Sequence, residues 1–243
     1  VTVAQLEFAV DPAGEAVLHW ATALADAPRA VTTAALLVPG GPAELLAVTA
    51  VVAADDPDVA RAALEPLLTG PPRPLRAGAS VVPYPVLVPR AHLHPNVGQQ
   101  PTVTTSALFG ELTGELAREL TAAARAGVFV QLRSIGGAMN DVPADATAFA
   151  HRHHRVFATG TLFPPGTEAE LARRWAPVRA HADGAYVNFE TRTDVDVVTR
   201  AYPGATGERV AAAWRRYDPD GLLQPVDTPD RARPEAAASP SRT

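Results

Sequence analysis

The stretch Gly136–Arg155 reads GGAMNDVPADATAFAHRHHR and lies between two β-rich runs, Val128–Arg133 and Val156–Phe163. It begins with a glycine pair and ends with three histidines in four positions. The sequence contains neither a GxGxxG nor a P-loop pattern, so the glycine pair by itself favours a tight turn or close backbone packing. The histidines raise the question of a metal site.

The spacing of these histidines does not by itself make a metal site. In an extended chain His151 and His153 would point to one side and His154 to the other, which provides two ligands. Zinc sites usually take three or four protein ligands, and no HExxH pattern supplies them on a helix. A third ligand stays open, and the other candidates are His92, His94 and His181. Solvated or hydrogen-bonded histidines are the favoured interpretation, with no metal.

The composition limits the class of protein. The chain has 243 residues, of which 47% are hydrophobic, and its net charge is −5. This is typical of a globular protein with one large domain or two small ones. The net negative charge argues against nucleic acid or an anionic membrane as a partner, and no apolar run approaches the roughly 20 residues that span a bilayer. The sequence lacks cysteine, and all 21 basic residues are arginine, which excludes thiol and Schiff-base lysine chemistry.

The localisation stays open. Residues 1–10 lack the basic start of a signal peptide. We therefore expect a cytoplasmic protein if no signal peptide precedes Val1.

Hydrophobic periodicity predicts a series of strands and helices. The predicted strands are 1–10, 31–38, 45–54, 102–109, 128–133, 156–163 and 185–189. The predicted helices are 15–26, 57–69, 112–126, 167–181 and 208–217. Residues 71–101 are rich in proline and predict a loop with a short extended piece. Because the strands follow one another without regular βαβ alternation, we expect an α+β fold: an antiparallel sheet with helices packed on one face, plus a C-terminal helical segment.

Three motifs occur in order along the second half of the chain. The first, Gly136–Arg152, matches the pattern GGA-x3-(V/I)-x3-ATAF-x-HR. The second, Gly184–Phe189, reads GAYVNF and matches G-x-Y-x-N-(Y/F). The third joins Ala201-Tyr202, Arg209 and Tyr217–Asp220, and is similar to AYG…R…YDP-(D/N)-N. In these motifs the chain resembles the berberine-bridge-enzyme-like FAD-linked oxidases of the vanillyl-alcohol-oxidase group, over about residues 1–226.

The resemblance implies a domain organisation. The chain is similar to the C-terminal half of these oxidases, whose FAD is held mainly by an N-terminal domain that nothing in this chain matches. We therefore expect FAD as cofactor and an FAD-binding domain either upstream or in trans. Residues 1–195 would form the substrate-binding domain, and residues 196–226 a C-terminal helical segment that docks on the FAD domain. Residues 227–243 are almost without apolar side chains and predict a disordered tail.

The resemblance also implies site residues. Tyr186 and Asn188 would lie in the roof over the isoalloxazine ring and bind the flavin or the substrate, and Tyr186 is the candidate catalytic residue. Several family members carry a tyrosine at the position of Phe189 that acts as the catalytic base, and a phenylalanine cannot accept a proton. The strand 156–163 has no carboxylate to replace it. After Asp220 the chain reads GLLQPVDTP, which departs from the family's NLFRxNxNIxP.

These expectations combine into one predicted function. The chain would be the substrate-domain part of an FAD-dependent oxidoreductase that oxidises a small organic substrate by hydride transfer to flavin, with oxygen as acceptor. The isolated chain would be inactive, since most contacts to FAD would come from the other domain. The alternative is a non-catalytic binding or interaction module that has lost the flavin-binding half. A metal-dependent enzyme is the third class.

Overall fold

The computed structural model describes residues 1–38, 45–87, 102–192 and 194–222. Within these ranges the strands are β1 (Thr2–Ala9), β2 (Val31–Leu37), β3 (Leu45–Val52), β4 (Arg76–Val81), β5 (Val103–Phe109), β6 (Phe129–Ser134) and β7 (Val156–Leu162). The helices are α1 (Glu15–Ala25), α2 (Pro57–Thr69), α3 (Gly114–Arg125), α4 (Glu168–Arg179), α5 (Val195–Ala201) and α6 (Gly204–Tyr217). None of these helices is long and apolar enough to cross a membrane.

The seven strands form one sheet in the order β4-β1-β3-β2-β6-β7-β5, and every neighbouring pair is antiparallel. The pairing of β2 with β6, from Ala34↔Arg133 to Leu37↔Val130, joins the strands of the first half of the chain to those of the second. The predicted α+β class with an antiparallel sheet is therefore confirmed.

One face of the sheet carries the hydrophobic core. Alternate side chains of six strands point to this face, as the period of two requires, and pack against α1, α2, α3 and α4. The largest of the buried side chains are Trp20 of α1 and Trp175 of α4. Trp20 is also tied to the sheet, because its indole N–H donates to the hydroxyl of Thr33, 3.1 Å away. Each large apolar side chain buried here contributes about 1.5–3 kcal/mol.

Side-chain caps fix where four of the helices begin. The carboxylate of Asp56 accepts from the backbone N–H groups of Asp58 and Val59 at the start of α2, and Pro57 occupies the first turn, where no donor is needed. Thr113, Thr167 and Asp194 cap α3, α4 and α5 in the same way. These local signals explain why most predicted helices agree with the structure to within a few residues.

Two sequence-based assignments differ from the structure. Residues 185–189 were expected to form a strand, but only Gly184 bridges β5, and Val187–Phe189 form a 3-10 turn. The backbone N–H of Ser106, which would pair with a further strand, instead donates to the side chain of Glu190. Helix α5 was not predicted, because its seven residues are too few to show a period.

The domain boundaries at 195 and 226 stay predictions. Helix α5 begins at Val195 and α6 ends at Tyr217, next to the first predicted boundary and before the second. The predicted tail lies outside the described residues, as do His92 and His94.

Gly160 of β7 provides a test of how tightly the sheet packs on α4. A Cβ at this position would lie 2.6 Å from the Trp175 ring, closer than any real contact. Gly160→Ala should therefore lower the free energy of unfolding by about 1–3 kcal/mol, measured by urea denaturation. Gly78→Ala in β4 is the matched control, because nothing lies within 4 Å of its added Cβ. Equal midpoints for the two variants would contradict this packing.

Candidate functional site

The face of the sheet opposite the four core helices carries a group of aromatic rings, which we call the aromatic patch: Phe149, Phe157, Tyr186 and Phe189. Phe157 projects from β7 to this face, since its neighbours Val156 and Ala158 belong to the core. The ring centroids of Phe157 and Phe189 are 5.3 Å apart, and those of Phe149 and Tyr186 are 5.7 Å apart. The ring centroid of Tyr186 lies 6.0 Å from that of Phe157 and 5.9 Å from that of Phe189. The four rings therefore form one continuous cluster, in which Phe157 is buried and the other three rings are partly exposed.

The structure brings the two sequence-predicted site residues together, with Tyr186 in this patch and Asn188 hydrogen-bonded to it. The amide Nδ2 of Asn188 donates to the hydroxyl of Tyr186, 2.7 Å away. Asn188 is exposed and Tyr186 is half-buried. Because its oxygen accepts from the amide, the phenol keeps its own proton available for a ligand. Their function as catalytic and cofactor-binding residues stays a prediction.

Glu190 holds the turn that carries Tyr186 and Asn188 against β5. Its carboxylate accepts from the backbone N–H and the hydroxyl of Ser106, at 2.8 and 2.7 Å, and from the hydroxyl of Thr105 at 3.0 Å. Ser106 also accepts from the backbone N–H of Tyr186 at 2.9 Å. Burial raises the pKa of Glu190, and the hydrogen bonds from Ser106 and Thr105 act against this rise. Sequence reasoning missed this residue, although an acidic side chain directly after an aromatic motif was a visible signal.

The segment Gly136–Arg155 is the connection between β6 and β7, and its body is irregular and not extended. Arg152 ties the connection together by donating to the carbonyls of Phe149 and Met139 and to the hydroxyl of Thr147. Arg209 of α6 reaches the carbonyl of Asp145. The motif that begins with the glycine pair therefore builds a self-supporting loop beside the aromatic patch.

The histidines are arranged differently from the extended interpretation. His151 and His154 are buried together with ring centroids 4.9 Å apart, whereas His153 is exposed. The pairing of His151 with His153 on one side was wrong, because the backbone turns between Ala150 and Arg152. Asp183 lies 3.8 Å from Nε2 of His154. Across the described ranges, no three metal-ligating side chains come together as a metal site would require.

Burial sets the charge state of this cluster. It lowers the pKa of His154 to about 4, and the neighbouring His153 and His151 act in the same direction. Burial also lowers the pKa of His151. Both imidazoles are therefore neutral at pH 7. Neither ring nitrogen of His154 has a hydrogen-bond partner within the described part of the chain.

A separate cleft of about 880 Å³ lies at one end of the sheet. It is bordered by the end of α1 and by residues 134–140, and the ion pair of Arg29 with Asp141 lies beside it. None of its lining residues belongs to the aromatic patch. Residues 136–140 of the first motif line this cleft, whereas the predicted site residues Tyr186 and Asn188 do not.

The arrangement of sheet, helices and aromatic patch defines the class of fold: an antiparallel sheet covered by helices on one face, with an aromatic surface on the other. Comparison with solved structures finds this fold in FAD-linked oxidases. BBE-like 1 of Physcomitrella patens matches with a TM-score of 0.75 at 16% identity, over 92% of this chain and 52% of its own. A variant of berberine bridge enzyme in complex with (S)-reticuline matches with a TM-score of 0.71 at 14% identity, over 93% and 54%. Glucooligosaccharide oxidase of Acremonium strictum, which carries a 6-S-cysteinyl, 8α-N1-histidyl FAD, matches with a TM-score of 0.69 at 17% identity, over 90% and 53%.

The chain thus spans about half the length of these structures. No protein-family model matches the sequence, and no curated protein matches it either. The resemblance that the motifs indicated is confirmed at the level of the fold.

The buried histidines predict a pH dependence of stability. Between pH ~6.5 and ~4 the unfolded chain takes up protons that the folded chain excludes, so stability falls as the pH falls through this window. For His154 alone, with a pKa of about 4, the loss reaches about 3 kcal/mol. His154→Leu should flatten this slope, measured by denaturant unfolding at several pH values. His181→Asn is the control and should keep it. An unchanged slope in His154→Leu would exclude His154 as its source.

The contacts of Glu190 predict a contrast between two substitutions. Glu190→Ala removes the acceptor for Ser106 and Thr105 and should cost about 2–3 kcal/mol of unfolding free energy. Glu190→Gln keeps an acceptor oxygen. Because the pKa of Glu190 is raised in the folded state, ionising this side chain is less favourable there than in the unfolded chain. The protein therefore loses stability as the pH rises through the folded-state pKa of Glu190, whereas a glutamine does not ionise and causes no such loss. Glu190→Gln should therefore match or exceed the parent at pH 8, and the exposed Glu208→Ala should be neutral. Equal losses in both Glu190 variants would refute the assignment.

Proposed function

We propose that this chain is the substrate-binding half of an FAD-dependent oxidoreductase, and that its aromatic face covers the flavin. The observation that carries the proposal is the fold match to oxidases over at least 90% of this chain but only about half of theirs, combined with an aromatic patch on the face that the core helices leave free. A half-length match is what a chain containing one of two halves would give.

The residues of this face suit an isoalloxazine ring. Aromatic side chains pack well against flat ring systems in offset or edge-on geometry, and three rings of the patch, Phe149, Tyr186 and Phe189, are partly exposed. The Tyr186–Asn188 pair adds a phenol and an amide, which can hydrogen-bond the polar edge of the ring or of a substrate. The sequence offers neither a lysine nor a GxGxxG loop for the pyrophosphate, so the other domain would supply those contacts.

The chemistry follows from this placement. Bound flavin would accept a hydride from a small organic substrate, and oxygen would reoxidise it. Tyr186 is the candidate proton acceptor of this chain, and Asn188, which donates to its oxygen, would hold the side chain in position. Phe189 has no such function: its ring packs against Phe157 and the guanidinium of Arg133.

The C-terminal segment 196–226 would dock on the FAD domain. Two large side chains support this part of the proposal, because Tyr217 at the end of α6 is 73% exposed and Leu222, five residues further on, is 84% exposed. Large apolar side chains exposed this far suit a surface that a second domain covers.

Co-expression with an FAD-binding half tests the proposal. The half can be taken from glucooligosaccharide oxidase or from the coding sequence that neighbours this chain. The expected product is a yellow complex absorbing near ~450 nm, bleached anaerobically by its substrate. Tyr186→Phe should slow bleaching by about 10²–10⁴-fold with unchanged flavin content.

The exposed Glu65→Ala on α2 is the control and should bleach at the parent rate. Failure of every FAD-binding half to yield a yellow complex would favour a non-catalytic binding module instead.

A further inference from the structure

Charged side chains are almost absent from the described strands. Their sequences contain Glu7 in β1, Arg76 in β4 and Arg133 in β6. Glu7 and Arg76 lie at the β4 edge and pair with each other, 3.7 Å apart. Arg133 lies in the interior of the sheet, between Ala34 of β2 and Phe157 of β7. It is the one charge of the described strands without an ion-pair partner.

The guanidinium of Arg133 borders the aromatic patch. Its central carbon lies 5.1 Å from the ring centroid of Phe189 and 5.5 Å from that of Phe157. Its Nη2 donates to the side-chain oxygen of Gln131, 2.9 Å away. Its Nη1 is buried and has no hydrogen-bond partner within the described ranges. The fork of donors is therefore only partly used.

This environment is unfavourable for a lone cation. Burial lowers the pKa of Arg133, and no carboxylate acts against this effect. An arginine nevertheless stays charged at any ordinary pH. The two aromatic rings and the Gln131 oxygen compensate part of the lost hydration, but a half-buried charge normally has a counter-charge as well. An anionic group bound on this face would supply it.

We propose that Arg133 binds the carboxylate of the substrate, so that the site takes a carboxylic acid with an aromatic or apolar body. Because Nη1 is enclosed by protein atoms, the planar carboxylate accepts charge-assisted hydrogen bonds from the remaining donors of the guanidinium. The rings that flank Arg133 are also planar, and the rest of the aromatic patch contacts the apolar body of the ligand. The inference rests on the proposed function only in taking this face as the substrate side.

Benzoate and its uncharged isostere benzamide test the charge requirement on the full chain. Titration calorimetry should show benzoate binding at least 10-fold more tightly than benzamide or inorganic phosphate. Arg133→Gln should abolish this preference, and Arg133→Lys should keep part of it. Arg61→Gln on the exposed side of α2 is the matched control and should bind benzoate like the parent.

A stability measurement separates lost binding from lost folding. Arg133→Gln removes an unpaired charge, so its urea midpoint should equal or exceed that of the parent. Benzoate binding no tighter than benzamide, equal binding of phosphate, or benzoate binding that survives in Arg133→Gln would each overturn the inference.

The flavin complex separates this inference from the proposed function. If benzoate requires Arg133 but no FAD-binding half yields a yellow complex, the carboxylate site stands and the oxidoreductase assignment falls. If the yellow complex forms and benzoate binds Arg133→Gln as tightly as the parent, the oxidoreductase assignment stands and the carboxylate site falls.

Discussion

The carboxylate of Glu190 is the contact on which the candidate site depends. It bonds the backbone and the hydroxyl of Ser106 on the outermost strand, and Ser106 in turn bonds the backbone of Tyr186. Between the backbone bonds that Gly184 and Thr191 make to β5, the turn with Tyr186 and Asn188 is thus held by side chains. The contact of Glu190 with Ser106 therefore positions half of the aromatic patch, because two of its four rings, Tyr186 and Phe189, belong to that turn.

The sheet has two faces with different physical tasks. The helix face is filled with apolar side chains and supplies most of the burial that stabilises the fold. The opposite face carries the aromatic patch, the Tyr186–Asn188 pair and the guanidinium of Arg133. The unpaired arginine, a poor choice for stability, lies on this second face, where the proposed ligand would compensate for it.

The sequence predicted elements with strong local signals and missed those that depend on tertiary contacts. Helix α2 was visible because Asp56, Pro57 and Gly70 mark its ends, and the core strands were visible from their alternation. Residues 185–189 look like a strand because Tyr, Val and Phe favour one, but the hydrogen bonds of Glu190 replaced the ladder. No local pattern could reveal that Ser106 hydrogen-bonds Glu190, because the two residues lie 84 positions apart in the sequence.

The site shows the same division. The motif resemblance led to Tyr186 and Asn188, which the structure joins by a hydrogen bond. Arg133 escaped notice because a single arginine in an alternating strand suggests a solvated position. Its burial depends on Phe157 and Phe189, and these come from a neighbouring strand and from a distant turn.

The covering of β5 by residues 183–191 has a consequence for self-association. Most outward backbone groups of this strand are already occupied: Leu108 exchanges bonds with Asp183 and Gly184, the N–H of Ser106 donates to Glu190, and Thr104 exchanges bonds with Thr191. An outer strand with free donors and acceptors is a template for another chain and a starting point for aggregation. The same turn that builds the aromatic patch therefore also closes this side of the sheet to intermolecular strand addition.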